Sequence, residues 1–199
     1  MIIEVLSIIG VFVFATSGVL IGLEKKLDPF GLVTIAFFTA SGGGIIRDVI
    51  LGEIPSIFSS TNAIATIIVA TYFGMRIYDH KKFHKLFLYF DAMGLALFVT
   101  LGTLMSYQHG LTTFGVVFLG TLSGIGGGII RDILVNEIPL IFTTKDLYAS
   151  ISIVGILLFI FLMKFDFVST NMALLIQAFF ILVFRIVAIE RNWHWHYES

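Results

Sequence analysis

The chain has 199 residues, of which 58% are hydrophobic and only 13% are charged, and its formal net charge is −1. Soluble domains carry about 25% charged residues, so this composition indicates an integral membrane protein, and the near-zero charge gives no case for nucleic-acid binding. The chain has no cysteine, which excludes disulfides, thiolate metal sites and cysteine nucleophiles.

Seven apolar stretches are long enough to cross the hydrocarbon core as helices, which takes about 20 residues for roughly 30 Å. Polar or turn-forming residues separate them, and they lack the period-two alternation of a β-barrel. The sequence therefore predicts an all-α integral membrane protein that forms a single membrane domain, residues 1–199. The predicted helices run approximately over Ile2–Leu23, Phe30–Leu51, Thr61–Tyr78, Leu86–Tyr107, Thr113–Val135, Asp146–Met163 and Asn171–Glu190.

One peptide occurs twice in the chain. Gly42–Asp48 (Gly-Gly-Gly-Ile-Ile-Arg-Asp) returns letter for letter as Gly126–Asp132, 84 positions later, and both copies continue to Glu-Ile-Pro and Ile-Phe. We therefore predict two three-helix repeats, about 2–80 and 86–164, followed by an unpaired seventh helix at about 171–190. Because three is odd, the second repeat must enter the membrane from the opposite face, which predicts an inverted 3+3 repeat.

Lysine and arginine in the short loops predict the orientation, because cytoplasmic loops are enriched in them. One side of the predicted bundle receives eight of these residues, and the other side receives little beyond Lys164. We expect the rich side to be cytoplasmic, which places the N-terminus outside and the C-terminus inside. The eight residues are Lys25, Lys26, Arg76, Lys81, Lys82, Lys85, Lys145 and Arg191.

The predicted helices 2 and 5 each contain a glycine triplet near the membrane midplane. A glycine costs about 1 kcal/mol relative to alanine inside a helix, so three in a row indicate a break, a kink or a close backbone approach. We favour helices that break or kink there and free backbone groups to face a solute; the alternative is close packing through small residues. The triplets are Gly42, Gly43 and Gly44, and Gly126, Gly127 and Gly128.

The deepest charges of the chain follow these triplets as Arg47-Asp48 and Arg131-Asp132. Each costs about 2.5–3.5 kcal/mol at the bilayer centre on insertion scales, so they should face protein or water. Neighbouring helix residues point about 100° apart, so we expect cross-pairs, Arg47 with Asp132 and Arg131 with Asp48. We interpret the four as pore-lining or gating groups; the alternative is a purely structural cluster of ion pairs.

Further polar candidates lie within the predicted helices. Asp91 is near the start of the fourth helix, where it either attracts cations to a vestibule or caps the helix, and its repeat mate is Ser7. Hydroxyls close to matched glycines are candidates for lining a polar path, although each can bond back to its own helix instead. These hydroxyls belong to Thr16, Ser17, Ser41, Thr100 and Ser123.

The doubled Gly-Gly-Gly-x-x-Arg-Asp motif and the Asp91-Ala92-Met93-Gly94 opening of the fourth helix resemble those of a bacterial membrane-protein family. This is the UPF0126 glycine-transporter-domain family, which is homologous to the trimeric intracellular cation (TRIC) channels, and the resemblance covers nearly the whole chain. It implies a homotrimer with one pore per protomer, surrounded by helices 1, 2, 4 and 5. It also implies permeation by K⁺ and Na⁺ and a bacterial plasma (inner) membrane location. One departure is Ser7, where the family often has an acidic residue.

Two functions therefore stay open. The leading hypothesis is a monovalent cation channel, in which broken helices offer carbonyl oxygens to the ion. The alternative is a secondary transporter of glycine or a similar zwitterion, with a helix N-terminus and an arginine holding its carboxylate. No metal motif or nucleophile–base pair supports an enzyme, and we expect neither a cofactor nor a bound metal. The expected partners are further copies of the chain, membrane lipids and the permeant cations.

Overall fold

The structure is a computed structural model that describes residues 2–142, 148–191 and 193. Within this part the chain is almost entirely helical, and a single-turn 3-10 helix at Leu140–Phe142 supplements the α-helices. The prediction of an all-helical membrane protein is confirmed. The α-helices are α1 (Ile2–Glu24), α2 (Pro29–Leu51), α3 (Ser56–Ser59), α4 (Thr61–Ile77), α5 (Phe83–Gln108), α6 (Thr113–Leu134), α7 (Ala149–Lys164) and α8 (Thr170–Arg191).

Each of the seven predicted helices has a counterpart among these elements. Helices α1, α2, α5, α6 and α8 are long and apolar enough to cross a membrane, whereas α4 and α7 are apolar but shorter. At a rise of about 1.5 Å per residue, the 16 residues of α7 cover less than the hydrocarbon core, so seven complete crossings stay a prediction. The predicted start of the sixth helix, Asp146, lies outside the described residues.

The same local signals start and end α2 and α6. Asp28 and Thr112 are the N-cap residues, and each side chain accepts a hydrogen bond from the backbone N–H three residues further on, which satisfies a donor that the first turn leaves free. Gly52 and Asn136 follow the two helices with φ values of 76° and 57°, the left-handed conformation that commonly ends a helix. Both pairs lie 84 positions apart, so the repeat extends to the helix ends.

The centre of the fold is formed by α1 and α5, and its contacts are reciprocal. Phe14 and Phe98 are repeat mates, and their rings stack with centroids 5.2 Å apart and planes inclined by 17°. Gly94 packs against the Phe14 ring and its mate Gly10 packs against the Phe98 ring. Reciprocal contacts of this kind are produced when two equivalent units meet about a two-fold axis, as the inverted repeat predicts.

Helices α2 and α6 run through both glycine triplets without interruption. The predicted break is therefore wrong, while a bend without a break stays a prediction. A Cβ added at Gly43 would collide with the carbonyl oxygen of Ser123, and one at Gly127 would collide with that of Thr39. Small residues let the backbones of membrane helices approach closely, so the packing alternative explains the middle glycine of each triplet.

Candidate functional site

Two buried arginine–aspartate pairs lie just beyond the glycine triplets. The Arg47 guanidinium binds Asp48, with Nε 2.8 Å and Nη2 2.7 Å from Oδ1. Arg131 Nε donates to Asp132 Oδ1 at 2.8 Å. The predicted cross-pairs are therefore wrong, because the long arginine side chain turns along its own helix and reaches the next residue despite the angle between their Cβ directions.

The aspartates are held from their other side by the returning chain. Asp48 Oδ2 accepts from the backbone N–H of Ser56 at 2.9 Å, and Asp132 Oδ2 accepts from that of Leu140 at 3.0 Å. These donors are the first residues of α3 and of the 3-10 helix. Each carboxylate thus joins a guanidinium to the start of a short helix, and its buried charge is compensated by both.

The arginines do reach across to the opposite half, but they bind hydroxyls there. Arg47 Nη1 lies 3.4 Å from Ser123 Oγ on α6, and Arg131 Nη1 donates to Ser17 Oγ on α1 at 3.2 Å. Of the predicted polar residues, Ser17 and Ser123 are therefore brought to the two Arg-Asp pairs.

Asp91 supplies a second carboxylate to one arginine. It is fully buried, and its Oδ1 lies 2.5 Å from Arg131 Nη1. The helix-cap interpretation is wrong, because α5 begins at Phe83, about two turns earlier. The Arg131 guanidinium also lies 4.6 Å above the Phe87 ring, which completes its burial with a cation–π contact.

The repeat mate of Asp91 has a different environment. Ser7 lines a cavity of about 750 Å³ between the five helices α1 to α5. Its lining extends from the exposed Glu4 near the start of α1 to the buried Phe98 of α5. Among the predicted site residues, Ser41, Gly44 and Arg47 contribute to this lining. The first Arg-Asp pair therefore borders open space, whereas the second is enclosed by protein.

The remaining hydroxyl candidates are satisfied locally. Thr16 and Thr100 are buried repeat mates, and each donates to the carbonyl oxygen four residues earlier at 2.8 Å. Ser41 makes the same bond at 2.6 Å while it lines the cavity. Among the described residues, no group of three or more histidine and acidic side chains is placed to hold a metal ion.

Helix α8 adds buried polar residues that are not among the predicted site residues. Gln177 and Arg185 are fully buried; the Gln177 amide donates to Thr103 at 2.9 Å, and the Arg185 guanidinium lies 4.6 Å above the Tyr148 ring. A usable signal was present in the sequence, since Gln177, Ile181 and Arg185 repeat every four residues and so share one helix face. Helix α8, which has no mate in the repeat, therefore packs against the second repeat through polar groups.

Comparison with known proteins relates most of the chain to one family. A family model described as a glycine transporter matches residues 4–78 and 88–164, which correspond to the two predicted repeats. The chain is 42% identical over 156 residues to a UPF0126 membrane protein of Deinococcus radiodurans, covering 75% of this chain and 71% of that protein. It is 36% identical over 153 residues to the UPF0126 inner membrane protein YadS of Escherichia coli K12, covering 75% and 73%.

Solved structures that resemble this fold include TRIC cation channels. A structure determined to explain conductance through TRIC cation channels matches with a TM-score of 0.87 and 30% identity, covering 100% of this chain and 98% of that one. A prokaryotic TRIC channel matches with a TM-score of 0.86 and 34% identity, and the match covers 96% of this chain and 98% of that channel. The trimeric intracellular cation channel orthologue of Rhodobacter sphaeroides matches with a TM-score of 0.87 and 26% identity, and the match covers 96% of this chain and 99% of that one. These likenesses are to channels and transporters, which confirms the prediction that the chain is not an enzyme.

Proposed function

This chain belongs to the glycine-transporter family of membrane proteins, and we propose on that premise that it is a channel for monovalent cations. The likeness to TRIC cation channels over nearly the full length supports this function. The proposal includes K⁺ and Na⁺ as permeant ions, a homotrimer with one pore in each protomer, and no cofactor. It places the protein in the bacterial inner membrane, as the name of the Escherichia coli relative supports.

The observation that carries the proposal is the cavity of about 750 Å³ between the five helices α1 to α5. It begins near an exposed end of the bundle and reaches Gly44 and Arg47, beside the crossing of α2 and α6. We assign this cavity to one half of the pore. The other half runs from the crossing towards Arg131, Asp132 and Asp91, whose side chains are buried, so conduction requires them to move, with a bend of α2 and α6 at the triplets as the accompanying motion.

The charges of the cavity are compatible with a cation. Arg47 alone would repel one, but Asp48 neutralises its guanidinium at 2.7–2.8 Å. Glu4 lies in the outer part of the lining, and acidic side chains at a pore entrance attract cations. The serines at positions 41 and 56 add hydroxyls that can replace part of the hydration shell of an ion.

A carrier for glycine or a similar zwitterion is the alternative, and it is favoured by the description of the matching family. A guanidinium facing a polar cavity can bind a carboxylate in a bidentate manner. The Nε and Nη2 groups of Arg47 are, however, already engaged by Asp48. A substrate carboxylate would have to displace Asp48, which the backbone N–H of Ser56 also holds.

Electrical recording separates the two functions. Purified protein in a planar bilayer should give unitary K⁺ currents, whereas a carrier would give saturable glycine uptake into proteoliposomes without single-channel steps.

A substitution at Arg47 tests whether the cavity is the pore. R47Q removes the charge at the base of the cavity and should change the unitary conductance while the assembly keeps its mass. The control R76Q alters an exposed arginine at the end of α4 and should leave conductance unchanged. Uptake without current would overturn the channel, and an unaltered conductance of R47Q would exclude the cavity as pore.

A further inference from the structure

Two ion pairs at opposite ends of the bundle are the same contact repeated at the 84-residue offset. Lys25, in the turn after α1, binds Glu137 just after α6. His109, in the turn after α5, binds Glu53 just after α2, with 3.3 Å between Nε2 and Oε1. Lys25 and His109 are repeat mates, as are Glu137 and Glu53. Each pair therefore fastens a turn of one half to the end of a triplet-containing helix in the other half.

The His109–Glu53 pair is connected to the candidate pore through a short segment of backbone. The N–H of Glu53 donates to the carbonyl oxygen of Asp48 at 2.8 Å. Three residues later the N–H of Ser56 donates to the Asp48 side chain, and Ser56 itself lines the cavity beside Arg47. A displacement of Glu53 is thus transmitted directly to the turn that holds Asp48 and its arginine.

The two pairs differ in how they respond to pH. A lysine stays charged throughout the physiological range, whereas histidine changes charge near pH 6.5. The hydrogen bond from the His109 ring to the Met105 carbonyl, followed by that with Glu53, raises the pKa of His109 above this value. A raised pKa means that the pair is charged at low pH and loses its attraction as pH rises through a value above 6.5.

The surroundings of His109 leave Glu53 as the charge that acts on it. The turn after His109 and the first five turns of α6 contribute none, because residues 110–130 contain no charged side chain. The same end of the bundle carries Glu4 at the start of α1, Lys164 at the end of α7, and Asp166 between α7 and α8. Among all these groups, the contact with the imidazole is made by the Glu53 carboxylate.

We propose that the His109–Glu53 pair is a pH-operated clasp that senses the compartment on one side of the membrane. It closes when that compartment is acidic and opens when it is alkaline, while the Lys25–Glu137 pair on the other side stays closed at both. Opening frees the 52–55 turn and, through Ser56 and Asp48, alters the part of the cavity beside Arg47. The regulation of conduction by the clasp rests on the proposed channel function. The pH dependence of the His109–Glu53 contact is independent of that function.

Exchange of the two basic residues provides a matched test of sidedness. In bilayers, changing the pH from 5.5 to 8.5 on the His109 face alone should change the open probability of the wild type by about two- to fivefold, the range that an exposed ion pair supports. H109K should abolish the response. The double variant K25H/H109K carries the histidine on the opposite face, so its response should move to that face. An equal response of the wild type and H109K would overturn the clasp as a regulator.

Hydrogen–deuterium exchange tests the contact without relying on ion flux. At pH 5.5 the peptide covering residues 52–55 should exchange about two- to fivefold more slowly in the wild type than in H109Q, and at pH 8.5 the two proteins should exchange alike. Comparison at the same pH removes the pH dependence of the chemical exchange step. Equal protection at both pH values overturns the clasp. A pH-dependent difference in a protein that carries no current supports the clasp and refutes only the proposed channel.

Discussion

At the scale of single residues, the two Arg-Asp pairs differ in their further partners. Arg47 binds Asp48 and borders the cavity. Arg131 binds Asp132 and also Asp91, which is fully buried. The repeat mate of Asp91 is Ser7, which lines the cavity. The second carboxylate therefore belongs to the arginine that protein encloses, where a buried charge depends most on its partners.

Replacing Asp91 with serine should test this account, because it gives the second half the residue of the first. D91S leaves Arg131 with Asp132 but removes the second carboxylate that binds its guanidinium. We expect a loss of about 3 kcal/mol of stability, the cost of breaking a buried pair, measured as a lower midpoint of thermal unfolding in detergent. The control S7A changes the repeat mate and should stay close to the wild type. Equal midpoints for D91S and S7A would show that the pair does not stabilise the fold.

The identity of the charged residues was predictable from the sequence, whereas their partners were not. The repeated motif singled out Arg47, Asp48, Arg131 and Asp132 because charge inside an apolar helix demands an explanation. The partner prediction used the angle between neighbouring Cβ directions and the pseudo-symmetry of the two repeats. It did not take into account that the long arginine side chain can reach the next residue on its own helix. The backbone N–H of Ser56 binds Asp48 only because the chain turns back after Pro55, and this tertiary contact cannot be predicted from the local sequence.

At the scale of helices, the positions within each glycine triplet are not equivalent. A Cβ at Gly43 or Gly127 would come closer than 3.0 Å to a backbone oxygen of the other helix, which no side-chain movement relieves. At Gly44 the nearest atoms would lie 3.7 Å away, and at Gly128 they would lie 3.4 Å away. The contact between α2 and α6 thus depends on the middle glycine, and the third glycine is free of this constraint.

Alanine at the third positions is therefore the matched control for alanine in the middle. G43A and G127A should force α2 and α6 apart and give protein that aggregates during purification. G44A and G128A should stay monodisperse and gain up to about 1 kcal/mol from helix propensity. Size-exclusion chromatography and thermal unfolding measure both effects. If G44A folds normally but alters K⁺ conductance, the third glycine serves as a hinge; equal tolerance of all four variants would contradict the close-packing explanation.

The long helices were predicted well because a long apolar stretch is enough to specify a membrane helix. The short helices were missed because no apolar stretch marks them in the sequence. The predicted second helix ends at Leu51, as α2 does. The four residues of α3 and the three of the 3-10 helix are too short to show periodicity. They form because the Pro turns direct the backbone N–H groups of Ser56 and Leu140 onto buried carboxylates, which is a tertiary contact.

At the scale of the whole molecule, several contacts between the two repeats are related by the 84-residue offset. Phe14 stacks on its own repeat mate Phe98, and the ion pairs of Lys25 and His109 are the same contact made once in each direction. A two-fold relation between halves of three helices each has a consequence for topology. Mates in the connecting turns must lie on opposite sides of the membrane.

Single cysteines at two such mates test this topology directly, because the chain has no cysteine of its own. Leu27 and Leu111 lie in the turns before α2 and α6 with exposed fractions of 36% and 38%, so their labelling rates are comparable. A membrane-impermeant maleimide added to intact cells should label L111C but not L27C, and the reverse should hold for inverted vesicles. We expect this order because the turn with Lys25 and Lys26 is on the lysine-rich side, which we predict to be cytoplasmic. Unmasking of both sites by detergent is the control for accessibility. Labelling of both variants from the same side would refute the inverted repeat, and labelling from opposite sides in the reverse order would overturn the predicted orientation alone.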